Sequence, residues 1–458
     1  MKLNLNRRHF LAGAAGLALA SRAARAAVPT LTARPGKVRI VPGDYPETAI
    51  WGYDGGVPGP EIRLRKGERL TRQLVNELPQ ATTVHWHGLR IPNAMDGVPG
   101  LTQAAVDPGG NFLYDFTPPD AGTFWYHSHN RSTEQVERGL YGLLIVEETE
   151  PPEVDRDLSV VVDDWRLTED AALADEFGQM RDWTHGGRIG NFVNAVVTPR
   201  PAGLKRHERL RLRLVNTATD RVMVIGLHGM EGAIVALDGM PLIAPEAADV
   251  AVLGPAERAD FIVDVTAQDG EPAIIAIHEG EEAFVLAEFP VEGSHAAAPR
   301  GPIPVLPPNP LTPLASADGA RDVPLAMEGG AMGGLREGTY NGERMSIQDL
   351  VEKGQVWTLN GVAGLPEAPL VEAAKGELIR IPMQNDTAFP HAMHLHGHHF
   401  QEVLPDGSLG PRRDTLTVAR GETRNIVFRA DNPGDWLLHC HMLSHQAAGM
   451  KTWLRVTV

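Results

Sequence analysis

Three stretches of the chain align with one another without gaps: GERLTRQLVN at 67–76, HERLRLRLVN at 207–216 and GELIRIPMQN at 376–385. Each alternates apolar and polar residues, the period of two that turns one face of a strand to a core and the other to water. A second triple alignment follows them, TTVHWHGL at 82–89, VMVIGLHG at 222–229 and HAMHLHGH at 391–398. Self-similarity of this kind marks a repeated supersecondary unit, so three related β units in series are predicted. A third correspondence joins only the first and last units, GTFWYHSH at 122–129 with GDWLLHCH at 434–441, which sets Ser128 where Cys440 stands. The 48 glycines and 36 prolines are roughly half as many again as an average chain of this length carries, as expected of short strands joined by many turns. The predicted fold class is all-β, three β-sandwiches in series.

Boundaries are expected at Glu150-Pro151-Pro152 and in the proline-rich RGPIPVLPPNPLTP at 300–313. This divides the chain into units at 27–150, 151–299 and 321–458, with 300–320 read as a stiff linker. Residues 1–26 read as an export signal. Arg7-Arg8 precedes Phe10-Leu11, an Ala/Leu/Gly-rich run reaches Ala20, and Ala24-Arg25-Ala26 offers a cleavage site. This order predicts passage through the twin-arginine translocase to the periplasm. No other apolar run is long enough for a membrane span. The formal net charge is −16, and residues 1–26 hold five cations and no acids, so the rest is more acidic still. Such a surface repels nucleic acid and anionic lipid.

Eighteen histidines scattered at random would produce His-x-His about 0.7 times, yet five instances occur, at 85/87, 127/129, 394/396, 396/398 and 439/441. On a strand, residues i and i+2 share a face, so each doublet presents two imidazoles to one point. Imidazole suits copper, zinc, iron or nickel. If the first and last units face each other, the doublets 85/87, 127/129, 394/396 and 439/441 meet across the seam. Eight imidazoles exceed the four or so ligands of one zinc-like ion and fit a cluster of three.

The single cysteine, Cys440, excludes an intramolecular disulfide and reads as a reactive thiol or a metal ligand. It lies between His439 and His441 on one strand, so its sulfur points to the opposite face. There it can join His391, His445 and Met450, and two imidazoles, a thiolate and a long axial thioether form a blue-copper ligand set.

Taken together, HWHG at 85–88, HSH at 127–129, HAMHLHGH at 391–398 and HCHMLSHQAAGM at 439–450 resemble the four copper motifs of the three-domain multicopper oxidases, the laccases and periplasmic cuprous oxidases. The resemblance spans nearly the whole chain beyond residue 26. It implies three cupredoxin-like domains, the first and third carrying all the ligands, and four copper ions. His391, Cys440, His445 and Met450 would hold a type 1 copper, His85 and His394 a type 2 copper, and His87, His127, His129, His396, His439 and His441 a type 3 pair. The implied reaction takes single electrons from a small donor, a phenol, an aromatic amine or Cu(I), at the type 1 site. It delivers four of them to O2, which becomes water at the cluster. Cys440 is the covalent bridge between the sites.

Reduction of O2 consumes protons. Asp96 resembles the family's acid beside the cluster, and a turn aspartate before Gly97 is the plainer alternative. Many bacterial relatives carry Glu directly after the second type 1 histidine, whereas Gln446 stands here and cannot ionise. Met327, Met332 and Met345 are candidates for collecting Cu(I), weighed against ordinary gap-filling methionines. His398, His399, His228 and His278 are expected to be structural, and His185 and His207 carry no signal. Two rival classes are an exported scaffold that has lost catalysis and a one-electron copper relay. The scaffold would lack ligands, and the relay would have no use for four doublets.

Overall fold

The computed structural model describes residues 28–458; the expected export signal at 1–26 lies outside the described residues. Strands dominate, as the alternating pattern predicts, and the helices Ser132–Glu137, Met180–Thr184, Ile347–Glu352 and Leu443–Ala447 are all short. The strands form three groups of two sheets. In the first group one sheet runs Thr48–Tyr53, Thr30–Val38, Leu70–Asn76, Asn111–Phe116. The other runs Ile62–Arg65, Tyr141–Glu147, Gly122–His127, His85–His87. The last group repeats that second sheet as Val371–Ala374, Lys451–Thr457, Gly434–Cys440, His391–Leu395, with Thr415–Val418 added at the edge. The middle group repeats it as Leu204–Arg206, Glu282–Ser294, Pro272–Glu279, Met223–His228, Val250–Leu253. In all three the first two strands are parallel and the others antiparallel.

Strand alternation then decides what meets what. In the first group Trp86, Phe124 and Tyr126 enter the core, so His85, His87, Trp125 and His127 leave by the other face. In the last group Met393, Leu395, Trp436, Leu438 and Cys440 enter the core, so His394 and His439 leave. The middle group differs in phase. The gapless alignment equates Ile225 and Leu227 with His85 and His87, but Ile225 and Leu227 point into the middle core. A one-residue slip exchanges the two faces of a strand, and the alignment is corrected by that slip.

A buried apolar seam joins all three groups: Trp125, Val136, Tyr141 and Leu143 from the first, Val161, Val215 and Ala256 from the middle, Leu443 from the last. The proline-rich stretch is anchored to the first and middle units at two buried residues, Leu306 and Asn309. Leu306 is buried with Val235 and Ile262, and the Asn309 amide both accepts from Ala121 N–H and donates to Ala121 O, each at 2.8 Å.

Glu137, at the end of helix Ser132–Glu137, is buried beside this seam with Arg188 Nε 3.3 Å away. The Arg188 Nη groups are engaged by the carbonyls of Glu176 and Ala174. Burial pushes the Glu137 carboxyl up to about 8 against the opposing pull of Arg188. Because the folded value exceeds the ordinary 4.5, the native state holds more protons than the unfolded chain between the two. Stability contributed by this group is therefore lost as pH rises through that window. Glu137→Gln keeps the shape and removes the titration. Its melting temperature relative to the parent is expected to improve steadily from about pH 5 to about pH 8, and a pH-independent difference would contradict the assignment.

Candidate metal centre

The register of the two ligand-bearing sheets sets the doublets side by side. His85 pairs with His127 across the first sheet, and His394 with His439 across the last. The outer faces of these sheets close on each other, stacking His87 on His394 at 3.7 Å between ring centroids and His85 on His396 at 3.9 Å. Three groups of nitrogens result, each within 4.8 Å: His87, His127 and His441; His129, His396 and His439; and His85, His394 with His87 again. Both three-histidine groups with distinct members draw on both end units, so neither unit assembles the site alone.

Hydrogen bonds fix the tautomers. His439 Nδ1 lies 2.9 Å from Cys440 O and must donate to it; His396 Nδ1 donates to Asp96 Oδ2 at 3.0 Å. Their Nε2 atoms, bare in the neutral rings, face each other at 3.1 Å. His127 Nδ1 donates to Ser128 O, leaving Nε2 bare 3.4 Å from His441 Nε2. His85 Nδ1 donates to Asp96 O and His394 Nδ1 to Asp414 O, and their Nε2 atoms are buried without a partner. Burial, reinforced by neighbouring imidazoles, holds His87, His127, His129, His396, His439 and His441 well below the usual histidine range. Neutral rings whose lone pairs converge in a buried pocket repel one another, and cations between them turn that repulsion into coordination. The donor set fits copper.

Asp96 is 1% exposed. Besides holding His396, its carboxylate lies 3.3 Å from His85 Nδ1, so its backbone orients one imidazole and its side chain touches both. A second acid carried no sequence signal. Asp414 precedes strand Thr415–Val418 and resembles any turn aspartate, yet it is fully buried and its Oδ1 lies 3.1 Å from His87 Nε2. Burial alone would raise its carboxyl, but Arg258, then His87 and His394, hold it well below the usual range. Arg258 comes from the middle unit and grips both oxygens at 2.8 and 2.6 Å. All three units therefore meet at Asp414. Gly88 closes this contact: at φ +82, a Cβ there would collide with Arg258 Nη2 and the Asp414 carboxylate, which accounts for the glycine of HWHG.

The sulfur lies on the opposite face, as the alternation predicts. Cys440 Sγ is 3.6 Å from His391 Nδ1 and 3.8 Å from His445 Nδ1, and those nitrogens are 3.0 Å apart. His445 Nε2 donates to the carbonyl of His185 at 2.6 Å, and His391 Nε2 meets Thr387 Oγ1 at 2.8 Å, leaving both Nδ1 atoms free to turn toward the sulfur. Met450 is buried in the same core, and its carbonyl accepts from Cys440 N–H. The Trp357 ring lies 4.5 Å from that of His445 and 5.1 Å from that of His391. Burial pushes the Cys440 thiol up, so it ionises only beside a positive charge. His185, silent in the sequence, thus backs one of the imidazoles through its main chain.

Other histidines and methionines sort by environment. His398 has partners at both nitrogens, His396 O and Asn432 N–H, as a structural residue should, while both His399 nitrogens are buried without one. Met327 is wholly buried in the core, whereas Met332 is 81% exposed. Gln446 accepts from Ser132 Oγ at 2.7 Å, tying helix Leu443–Ala447 to the first unit.

Two family models described as multicopper oxidase match residues 36–151 and 339–458. Multicopper oxidase MmcO of Mycobacterium tuberculosis is 31% identical, over 96% of this chain and 91% of that protein. A copper resistance protein A homolog of Pseudomonas syringae pv. tomato is 26% identical, over 88% of each. Among solved structures, Lac15 from a marine microbial metagenome matches with a TM-score of 0.78 and 46% identity, covering 94% of this chain and all of the other.

Proposed function

Because the chain belongs to the multicopper oxidases, copper enzymes that oxidise a reducing substrate with O2 as acceptor, we propose that its four doublets and its thiolate site hold four copper ions. His391, Cys440, His445 and Met450 take the type 1 ion, and His85 and His394 the type 2 ion. His87, His127 and His441 take one type 3 ion, and His129, His396 and His439 the other. The observation carrying this reading is the pair of buried Nε2 atoms of His396 and His439, bare and 3.1 Å apart, a contact that a cation held by both would relieve. In the same proposal the units at 27–150, 151–299 and 321–458 are separate domains. Arg7-Arg8 directs export through the twin-arginine translocase to the periplasm.

When bound, the coppers supply one-electron transfer at the thiolate and four-electron reduction of O2 to water at the cluster. The chain's own residues route and place this chemistry. Cys440 is bonded in sequence to His439 and His441, one in each three-histidine group, so a short covalent path runs from its sulfur to both. Asp96 orients His85 and His396 and is the carboxyl placed to relay protons to the cluster. Gln446 does not ionise, and its place is structural. Asp414, clamped by Arg258, keeps His87 and His394 aimed.

Neither imidazole at the thiolate site exposes an edge, since both outer nitrogens are engaged. Donors therefore dock above them, where exposed His185 lies 5.8 Å from Phe389 between ring centroids and Ala331 N–H bonds to Thr184 O, setting Met332 alongside. With Met327 sealed in the core, no thioether cluster is formed with it, and an aromatic rim favours phenols and aromatic amines over Cu(I). Purified protein is expected to bind four coppers per chain, to absorb at about 600 nm and to consume O2 faster with a dimethoxyphenol than with Cu(I). One copper per chain without O2 uptake would return the relay reading; faster uptake with Cu(I), abolished in Met332→Ala, would overturn the donor assignment.

A further inference from the structure

The middle unit turns to solvent the sheet face that the end units turn to each other. On that face Val252 and Val285 are 62% and 57% exposed, and two histidines stand among them. His228 ends strand Met223–His228 and His278 lies near the end of the neighbouring antiparallel strand Pro272–Glu279. Leu227 and Ile277, their chain neighbours, point into the core, so both imidazoles point out. Strand Pro272–Glu279 occupies the sheet position of Gly122–His127 and Gly434–Cys440, which carry His127 and His439 on the corresponding face.

The two rings lie 5.4 Å apart between centroids, tilted by 34°. Between them the backbone is bare. A Cβ on Gly226 would collide with His278 Nε2 and lie 3.4 Å from His228 Nε2, so both nitrogens lean over the same point, and across the ladder the facing residue is only Ala276. The sequence expectation of a satisfied structural histidine is not met here, because His278 Nε2 is buried without a hydrogen-bond partner among the described residues. Two convergent imidazoles over a glycine floor are a ligand pair, and the acidic chain, net −16, raises the local concentration of cations.

We propose that His228 and His278 form a surface site for one transition-metal cation with imidazole preference, Cu(II) before Zn(II) in the usual affinity order, water completing the coordination. It is separate from the four-copper set, to which the middle unit contributes no ligand. His228 is exposed and His278 half-buried, so metal reaches the pair from the His228 side.

The test uses copper-loaded enzyme titrated with Zn(II) in equilibrium dialysis, with copper content and the blue absorption recorded throughout. One Zn(II) per chain is expected to bind without loss of copper, and His228→Gln/His278→Gln is expected to weaken that binding at least tenfold. Gly226→Ala, which fills the floor while leaving both rings, should weaken it too. Cu(II) is expected to displace the bound Zn(II). Superimposable Zn(II) isotherms for the parent and the double variant, or binding that survives in Gly226→Ala undiminished, would overturn the site. Blue absorption that is unchanged in every variant keeps this outcome distinct from damage to the catalytic coppers.

Discussion

Cys440→Ser is expected to lose the intense absorption at about 600 nm and one copper per chain, and to oxidise donors more slowly by well over the roughly 100-fold that loss of an outer-shell partner costs. The sulfur is wholly buried among apolar side chains, with His391 and His445 Nδ1 at 3.6 and 3.8 Å. A serine hydroxyl there does not ionise, so two neutral imidazoles 3.0 Å apart are left to hold a cation without the negative charge that balances it. The damage is confined by the strand's alternation. His439 and His441 leave by the opposite face, so the eight-histidine site should still load three coppers, and the variant should be a colourless protein with an intact but idle cluster. Copper analysis and absorption of the same sample decide the matter. A variant that stays blue would remove Cys440 from the ligand set; one that loses all four coppers would show that the two faces are not independent.

The separation of the two faces was legible from the chain alone, because His-x-His and Cys440 between His439 and His441 are statements about strand faces. The three-fold repetition was legible for the same reason, although its gapless alignment slips by one residue in the middle unit. There Ile225 and Leu227 are apolar on both readings, and nothing in the local pattern distinguishes the phase. What stayed hidden were residues whose role depends on contacts between units. Asp414 sits before a strand and Arg258 inside one, 156 residues apart, and only docking of the units reveals that the pair meets His87. His185 acts through its carbonyl, which every residue has, so no side-chain motif marks it. His228 and His278 are 50 positions apart with no doublet spacing, and only the ladder between their strands brings them together.

The same distinction between acids decides the last expectation. Asp96→Asn should be reduced by donor at the parental rate under anaerobic conditions, seen as bleaching of the blue band, and then be reoxidised by O2 roughly 100-fold more slowly or worse, the range expected when a positioned proton donor is removed. Two carboxylates touch the cluster histidines. Asp414 is gripped by Arg258 through both oxygens and held well below the usual range, so it stays ionised and serves to aim His87 and His394. Asp96 has no arginine or lysine partner among the described residues; its oxygens meet only His396 at 3.0 Å and His85 at 3.3 Å. On the proposed mechanism it is therefore the carboxyl placed to relay protons where O2 is reduced, and Gln446, whose amide accepts from Ser132, offers no substitute. Asparagine retains the size of the side chain and one acceptor for His396, so the copper count should remain four. Asp414→Asn should behave in the opposite way, with copper content falling because His87 loses its support, and with bleaching and reoxidation affected together. If Asp96→Asn were reoxidised as fast as the parent, protons would have to reach the cluster from elsewhere, and Asp96 would be reduced to an orienting residue for its two imidazoles.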